Sequence, residues 1–204
     1  MEPKRVAPEQ IGRAYDSITH LWQSDDFNRD NGMAEHRRAL GFVDGRGAAL
    51  DVGCGCTGRF IDWLLAEGFT PEGVDISARM IELAQQRHPQ VPFYHQDICQ
   101  WTLPRRYDFI TAWDSIWHIP LSEQKPVLTK LVDALEPGGV LIFSCGATDE
   151  AGEHTDDFMG PEVSYSSLGV NGFWQLFSQL PCRIRHFEVD QYPELHAYFI
   201  VQRT

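Results

Sequence analysis

Three glycines at a fixed spacing are the residues of this sequence whose chemistry is easiest to anticipate. Gly53, Gly55 and Gly58 follow the pattern G-x-G-x-x-G, between a short apolar run and an amphipathic stretch. Glycines in such a pattern let the main chain turn tightly and let a ligand approach it closely. The pattern alone does not identify the ligand, because enzymes that bind dinucleotides also use it.

Three aspartates near this loop narrow the choice of ligand. Asp51 comes shortly before Gly53, where a carboxylate repels a pyrophosphate but suits a ligand with a positive charge. Asp75, in GVDIS, can accept hydrogen bonds from both hydroxyls of a ribose. Asp97, in YHQDI, is placed for an adenine amino group, with Ile98 against the ring. Each aspartate alone also fits a turn or a cap, but their register with the glycine loop favours a site for a cationic nucleoside.

Two side chains further along the chain are candidates for catalysis. His118 and Asp114 lie in the segment WDSIWHIP, at and just after the end of a fourth apolar run. Histidine titrates near neutral pH, so His118 could act as a general base. Alternatively, His118 only forms hydrogen bonds that shape the pocket, and Asp114 has a capping or structural role.

The elements that must position these residues alternate between short apolar runs and amphipathic stretches. This alternation predicts βαβ units and a mainly parallel sheet, in which ligands gather at the carboxyl ends of the strands. Strands are predicted over residues 48–52, 69–74, 91–95, 107–113, 140–144, 183–190 and 196–202. Helices are predicted within roughly the first 40 residues and over residues 59–67, 78–88, 123–135 and 167–180, with Ser77 and Ser122 as caps. Residues 148–165 have no clear period and are predicted to form a long functional loop.

The composition disfavours several classes of protein. The 204 residues carry a formal net charge of −12, and an acidic surface repels phosphate backbones, so nucleic acid is a disfavoured partner. A local basic patch of Arg29, Arg37 and Arg38 leaves one exception open. No apolar run suits a membrane span or a secretory signal, so we expect a cytoplasmic protein without a membrane partner. The five cysteines predict neither a disulfide framework nor a metal site, because only Cys54 and Cys56 have ligand-like spacing.

The sequence resembles the class I S-adenosylmethionine-dependent methyltransferases over about residues 45–145. The resemblance rests on five segments in the family's order: LDVGCGCTGRF, GVDIS, HQDI, YDFITAWDSIWHIP and LEPGGVLIFS. It implies an α/β fold, with a Rossmann-like, seven-stranded, mostly parallel sheet, helices on both faces and an antiparallel last strand. It also implies that S-adenosylmethionine is the methyl donor, that S-adenosylhomocysteine is the product and that the acceptor is a small molecule.

The resemblance also implies which residues contact each part of the donor. The methionine part would lie against Asp51, Gly53, Gly55 and Trp113, the ribose and adenine against Asp75 and Ile76, and the adenine against Asp97 and Ile98. Tyr15, in GRAYDSITHLW, would close over the donor, with packing as the alternative. Cys56 departs from the family, because many members have a small polar residue or glycine there. The predicted cofactor-binding residues are Tyr15, Asp51, Gly53, Cys54, Gly55, Gly58, Asp75, Ile76, Asp97, Ile98 and Trp113.

We expect one methyltransferase domain, a monomer or homodimer, with the acceptor held by its more variable parts. A helical cap (1–44), a cofactor-binding core (45–145) and a segment with the acceptor loop, a helix and the final strands (146–204) would compose it. An aromatic, partly apolar lining favours a small organic acceptor. The residues expected to line the acceptor pocket are Tyr15, Trp22, Arg29, Arg37, His154, Phe158, Met159 and Tyr165. Glu194 and His196 are expected to end a turn rather than to reach this pocket.

Two other functions fit part of the same pattern. A nicotinamide-dependent oxidoreductase would explain the glycines and Asp75, but it leaves Asp51 and Asp97 unexplained and needs room for a substrate domain. A non-catalytic module that binds S-adenosylmethionine is also compatible, because methyl transfer by in-line displacement requires no diagnostic catalytic residue.

Overall fold

The computed structural model describes residues 6–204, and within them seven strands form one sheet. In chain order the strands are β1 (Ala48–Val52), β2 (Thr70–Asp75), β3 (Phe93–His95), β4 (Tyr107–Ala112), β5 (Leu135–Gly146), β6 (Gly152–Asp156), β7 (Val163–Ser167), β8 (Cys182–Val189) and β9 (His196–Arg203). The sheet has the order β3-β2-β1-β4-β5-β9-β8. Strands β1 to β5 are parallel, whereas β9 is antiparallel to both neighbours. The predicted sheet and its antiparallel last strand are therefore confirmed.

Helices cover the sheet and extend from the amino-terminal part of the chain. They are α1 (Pro8–Ser17), α2 (His20–Gln23), α3 (Met33–Leu40), α4 (Arg59–Ala66), α5 (Ala78–Arg87), α6 (Leu121–Asp133) and α7 (Val170–Gln179), with a short 3₁₀ turn over Ile116–His118. The helical prediction for the first residues is confirmed as three separate helices, and residues 1–5 lie outside the described part of the chain. No helix within residues 6–204 is both long and apolar enough to cross a membrane.

Both faces of the sheet are buried, because side chains along a strand point alternately to opposite faces. On β4, Phe109 packs in one core with Trp63 of α4, whereas Ile110 packs in a second core with Leu131 of α6. The same alternation continues on β9, where Tyr198 joins the first core and the next residue joins the second. Helices on both faces, as predicted, thus hold the strand ends in place.

The start of α6 differs from the prediction. Ser122 does not cap this helix, which begins at Leu121 after an extended Pro120 (φ −55°, ψ 145°). The Leu121 N–H instead donates a hydrogen bond of 3.3 Å to the carboxylate of Glu153. By contrast, Ser77 caps α5 as predicted, and its hydroxyl accepts the Met80 N–H.

The prediction of a loop over residues 148–165 is wrong, because most of this segment forms the hairpin of β6 and β7. These strands pair antiparallel from Gly152↔Ser167 to Asp156↔Val163. The outer strand β6 is largely solvent-facing and acidic, so it has no apolar alternation that a sequence pattern could reveal. Ser167, predicted to lie in a helix, belongs to β7, and α7 begins only after Gly169, which has a φ of +70°.

Candidate active site

A cavity of about 470 Å³ opens at the carboxyl ends of the parallel strands, where ligands bind in sheets of this type. Its volume lies within the roughly 300–1,000 Å³ typical of small-molecule sites. Gly53 reaches it directly after β1, Asp75 from the end of β2, Asp97 from the segment after β3, and Trp113 directly after β4. The strand order reverses between β1 and β4, so the cavity lies at the topological switch point.

The glycine loop leaves its main chain open to a ligand. Gly53 has a φ of +72°, and a Cβ there would lie 2.2 Å from the Cβ of Ser115. Gly55 has a φ of +55°, and no atom lies within 4 Å of the position a Cβ would take. A side chain is therefore excluded at Gly53 by close packing, while Gly55 faces open space beside the cavity.

The carboxylate of Asp75 is held in one orientation by two backbone N–H groups. Gly55 donates to its Oδ2 at 2.9 Å, and Ser77 donates to its Oδ1 at 2.8 Å. Burial raises the pKa of Asp75, and these hydrogen bonds from Ser77 and Gly55 oppose that rise. Both oxygens are thus fixed at the cavity with further lone pairs available, as recognition of two adjacent hydroxyls requires.

The segment after β3 is shaped by the main chain and by one lysine. Asp97 accepts the Cys99 N–H at 2.9 Å with its side chain, and its carbonyl accepts the Trp101 N–H at 2.8 Å. Lys130 of α6 donates to the carbonyls of Ile98, Cys99 and Trp101, the last at 2.9 Å. Burial lowers the pKa of Lys130. Sequence reasoning missed this residue, although a lysine next to the buried Leu131 and Val132 of α6 was a usable signal.

His118 is held on both ring nitrogens within the cavity wall. Its Nδ1 donates to the carbonyl of Ser164 at 2.8 Å, because a carbonyl can only accept. Its Nε2 therefore accepts, and it receives the hydroxyl hydrogen of Tyr15 at 2.6 Å and the indole N–H of Trp117 at 3.1 Å. Burial lowers the pKa of His118 to about 4, so the ring is neutral at physiological pH.

Asp114 has an unusual backbone conformation at the end of β4. Its φ is +52°, and it is the one non-glycine with positive φ among the described residues. Its N–H donates to Ser144 Oγ at 2.7 Å, and its Oδ2 accepts from Asn31 Nδ2 at 2.9 Å. The guanidinium of Arg59 lies 3.8 Å from the same Oδ2. Asp114 is thus held by several donors while its side chain lines the cavity.

His196 reaches the cavity, so the expectation that it only ends a turn is wrong. It lies at the start of β9, where pairing with Gly146 of β5 turns it towards Asp114. Its Nε2 is 3.2 Å from Asp114 Oδ1, and its Nδ1 is 2.6 Å from Asp190 Oδ1. Glu194, in contrast, is exposed in the turn before β9, as expected.

The cavity brings together most of the residues predicted to form the site. Asp51 and Gly58 are not among the lining residues. Asp51 is buried, and burial raises its pKa to about 7 against the opposing charge of Arg59. Gly58 begins α4 with a φ of +68°, close to the side chains of Arg87 and His88. The predicted residues that line the cavity are Tyr15, Gly53, Cys54, Gly55, Asp75, Ile76, Asp97, Ile98, Trp113, Asp114 and His118.

The expected acceptor residues are only partly brought together. Tyr15, Trp22, Met159 and Tyr165 line the cavity. Four others do not line it: Arg29, Arg37, His154 and Phe158. Arg29 instead donates to the Thr57 carbonyl, His154 stacks on Tyr165 with centroids 5.2 Å apart, and Phe158 is 95% exposed. The hairpin therefore contributes Tyr165 of its inner strand and Met159 of its turn to the cavity, while Phe158 of the same turn faces solvent.

Comparison with known proteins finds similarity to methyltransferases. A family model described as a methyltransferase domain matches residues 49–139, the segment with the glycine loop and strands β1 to β4. The chain is also 31% identical over 137 residues to dTDP-3-amino-3,6-dideoxy-alpha-D-glucopyranose N,N-dimethyltransferase from Streptomyces fradiae, covering 65% of this chain and 52% of the relative. These matches support a class I S-adenosylmethionine-dependent methyltransferase.

A second curated relative and a solved structure are also similar to this chain. The chain is 32% identical over 96 residues to dTDP-4-amino-2,3,4,6-tetradeoxy-D-glucose N,N-dimethyltransferase from Saccharopolyspora spinosa, covering 46% of this chain and 38% of the relative. The chain thus spans about half the length, or less, of these two curated relatives. Its fold matches magnesium protoporphyrin IX methyltransferase from Synechocystis PCC 6803 with a TM-score of 0.72, at 18% identity and 98% coverage of both chains.

Proposed function

We propose that this chain transfers a methyl group from S-adenosylmethionine to a small-molecule amine by in-line displacement. The observation that carries the proposal is the Asp75 carboxylate, fixed by two N–H groups beside the open Gly55 at the switch point of the sheet. When bound, the donor supplies a methyl group activated by its sulfonium. The chain's own contribution is to align the two reactants in a dry cavity, which can lower a barrier by roughly 7–11 kcal/mol.

The residues of the cavity fit the donor part by part. The two oxygens of Asp75 suit the ribose hydroxyls, and Asp97 with the adjacent Ile98 suits the adenine. Gly53 and Gly55 would let the methionine part lie against the main chain, with Trp113 beside it. Asp51 is buried and does not line the cavity, so it would act on the methionine part through the electrostatic effect of its carboxylate.

An amine acceptor is supported by the relatives and by the polar groups at the acceptor end. Both amino-sugar relatives named above are N,N-dimethyltransferases. In this chain, the polar side chains there include the Asp114 carboxylate, which accepts hydrogen bonds, between aromatic rings such as Trp22 and Tyr165. Hydrogen-bond acceptors suit the N–H groups of an amine, and a neutral amine already carries the lone pair that attacks the methyl group.

We propose that His118 positions Tyr15 and does not act as a general base. The lone pair of His118 Nε2 already receives the Tyr15 hydroxyl and the Trp117 indole N–H. Burial lowers the pKa of His118 to about 4, which leaves it a weak base for an acceptor at neutral pH. Tyr15 would then form a fixed wall over the reactants, because α1 packs against both α5 and β7.

The other functions considered for this sequence differ in what they require. A nicotinamide-dependent oxidoreductase is not favoured, because the family match is to methyltransferases. A non-catalytic binding module would share the cavity but release no product. We treat residues 1–204 as one methyltransferase domain, with α1 to α3 as the cap and the hairpin as the acceptor element. The cytoplasmic location and the monomer or homodimer stay predictions.

A labelled-methyl transfer assay tests the proposal. Purified protein is incubated with S-adenosylmethionine carrying an isotopic methyl label and with a panel of amino sugars, each paired with its hydroxyl counterpart. We expect label in an amine product and equimolar S-adenosylhomocysteine, with the hydroxyl counterparts unmethylated. Label in the hydroxyl compounds alone would contradict the amine assignment. Donor binding without label transfer to any metabolite, in a mass-spectrometric screen extended to cell extract, would favour the non-catalytic module.

A further inference from the structure

His196 is unusual because both of its ring nitrogens face carboxylate oxygens. Asp190 Oδ1 lies 2.6 Å from Nδ1, and Asp114 Oδ1 lies 3.2 Å from Nε2. A neutral imidazole carries hydrogen on one nitrogen only, so one lone pair would then face an acceptor. Ionised carboxylates only accept hydrogen bonds. The geometry is therefore satisfied when His196 carries hydrogen on both nitrogens and a positive charge.

The surroundings of His196 support the charged form. The side chains of His196 and Asp190 are 8% and 9% exposed, so this ion pair is screened little by solvent. Burial opposes the charge, but the hydrogen bonds and charges of Asp114 and Asp190 outweigh it, and the pKa of His196 is raised.

The other groups packed around His196, Asp190 and Asp114 do not change the charge of the His196 ring. The Cys145 thiol on β5 has its pKa raised by burial and by Asp190, so it stays neutral. Arg59, from α4, pairs with the far oxygen of Asp114, 3.8 Å away. The rings of Trp113 and Trp117 flank the imidazole at 5.4 Å and 5.7 Å between centroids. The two carboxylates are thus the groups that decide the charge of His196.

The backbone conformation of Asp114, with its φ of +52°, must be held by neighbouring groups. A non-glycine residue in the left-handed region costs of order 1–3 kcal/mol and persists only where its surroundings hold it. Asn31 donates to Oδ2, Ser144 accepts the N–H and donates to Oδ1 at 3.3 Å, and His196 lies 3.2 Å from the same Oδ1, where a charged ring donates a charge-assisted hydrogen bond. The side chain of Asp114 remains 30% exposed, on the wall of the cavity.

We propose that His196 is a positioning residue, a buried imidazolium that is anchored by Asp190 and fixes the Asp114 carboxylate at the acceptor end of the cavity. Asp114 then accepts an N–H of the acceptor and orients its nitrogen towards the donor. Only this last step rests on the proposed function. The charge of His196 and its link to Asp114 concern the ligand-free protein.

The first test is an NMR titration of the histidine ring protons in the full chain without ligand. The spectrum of His196→Gln identifies the His196 signal by its absence. We expect His196 to be charged at pH 7 and its pKa to fall by about one to three units in Asp190→Asn, since one opposite charge is removed. Glu194→Gln is the matched control, because it makes the same change on the exposed part of the same loop, and it should leave the titration unchanged.

A neutral His196 at pH 7 in the wild-type chain would overturn the proposal, as would an Asp190→Asn titration identical to that of the wild type. The second test is the pH profile of kcat/KM for the amine found in the transfer assay. Loss of the His196 charge should lower this rate at alkaline pH, and Asp190→Asn should move the alkaline limb to lower pH by the same one to three units. An unmoved limb would show a merely structural role. If no amine were methylated, the proposed function would fail while the titration still decided the state of His196.

Discussion

The proposed donor end of the cavity, around the glycine loop and Asp75, and the proposed acceptor end, around Asp114 and His118, are built in different ways. At the donor end, the decisive contacts involve the main chain and join residues close in sequence. The bond from Gly55 N to Asp75 spans 20 positions, and the bond from Ser77 N to Asp75 spans two. At the acceptor end, side chains from distant segments meet. The bond between Tyr15 and His118 spans 103 positions, and that between Asp114 and His196 spans 82.

This difference separates what a short motif can encode from what the topology must supply. The unit of β1, α4 and β2 supplies the glycines and the strand-end carboxylate of the donor end from one stretch of chain. The acceptor end exists only after α1, the hairpin and β9 have assembled around β4 and β5. We therefore expect changes at the donor end to act on donor binding, and changes at the acceptor end to act on turnover.

The largest expected effect is at Asp75. In Asp75→Asn, one of the N–H groups of Gly55 and Ser77 would face an amide NH₂ instead of an oxygen, and a ribose hydroxyl would lose its charged partner. We expect S-adenosylhomocysteine to bind roughly a hundredfold more weakly, about 3 kcal/mol, in isothermal calorimetry. Asp133→Asn, an exposed change at the end of α6, is the control. Equal affinity for both variants would remove Asp75 from the donor site.

The next largest effect is expected at Tyr15, at the acceptor end of the cavity. Tyr15→Phe keeps the ring that packs 5.2 Å from Trp22 but removes the hydroxyl bonded to His118. We expect kcat for the amine acceptor to fall about tenfold, from one lost hydrogen bond, with the Kd of S-adenosylhomocysteine changed less than about threefold. A loss of donor affinity with kcat preserved would place Tyr15 at the donor end instead.

A smaller effect at Lys130 sharpens the comparison, because this residue acts on the donor end from a distant helix. Lys130→Met keeps the apolar stem but leaves the carbonyls of Ile98 and Trp101 without their donor. We expect the Kd of S-adenosylhomocysteine to rise roughly three- to tenfold, with kcat at saturating donor unchanged. Lys125→Met, on an exposed position of the same helix, should match the wild type. A drop in melting temperature without any change in Kd would show that Lys130 supports the fold alone.

The smallest effect concerns stability and arises at Asp51. Burial raises the pKa of Asp51 to about 7, above the roughly 3.9 of an unfolded aspartate. The proton on Asp51 therefore contributes fully to the free energy of unfolding below about pH 4, and this contribution is lost as the pH rises through 7. In Asp51→Asn no charge forms, so the melting temperature should exceed that of the wild type at pH 8 by at least roughly 2–4 °C, which is about 1 kcal/mol. Thermal unfolding at pH 5 and pH 8 checks this. A gain that is equal or larger at pH 5 would contradict the buried charge.

The fold could be predicted from the sequence, and most of the predicted donor residues line the cavity, whereas the predicted acceptor residues were brought together only in part. Apolar runs located the sheet strands, and Ser77 located a helix start, because these signals are local. The hairpin of β6 and β7 was missed, since its outer strand is exposed and has no apolar period. His196 was misplaced because its partners, Asp114 and Asp190, come together only through the pairing of β9 with β5. Lys130 was missed for a similar reason, since its three carbonyl partners lie in a separate turn.

Calorimetric titration of the purified wild-type chain with S-adenosylhomocysteine tests the central claim most directly, with NADH titrated in parallel. We predict saturable heat for one molecule of S-adenosylhomocysteine per chain, and no heat above dilution for NADH. Saturable heat for NADH alone, or none for S-adenosylhomocysteine, would mean that the Asp75 cavity does not bind the methyl donor, and the account would be contradicted.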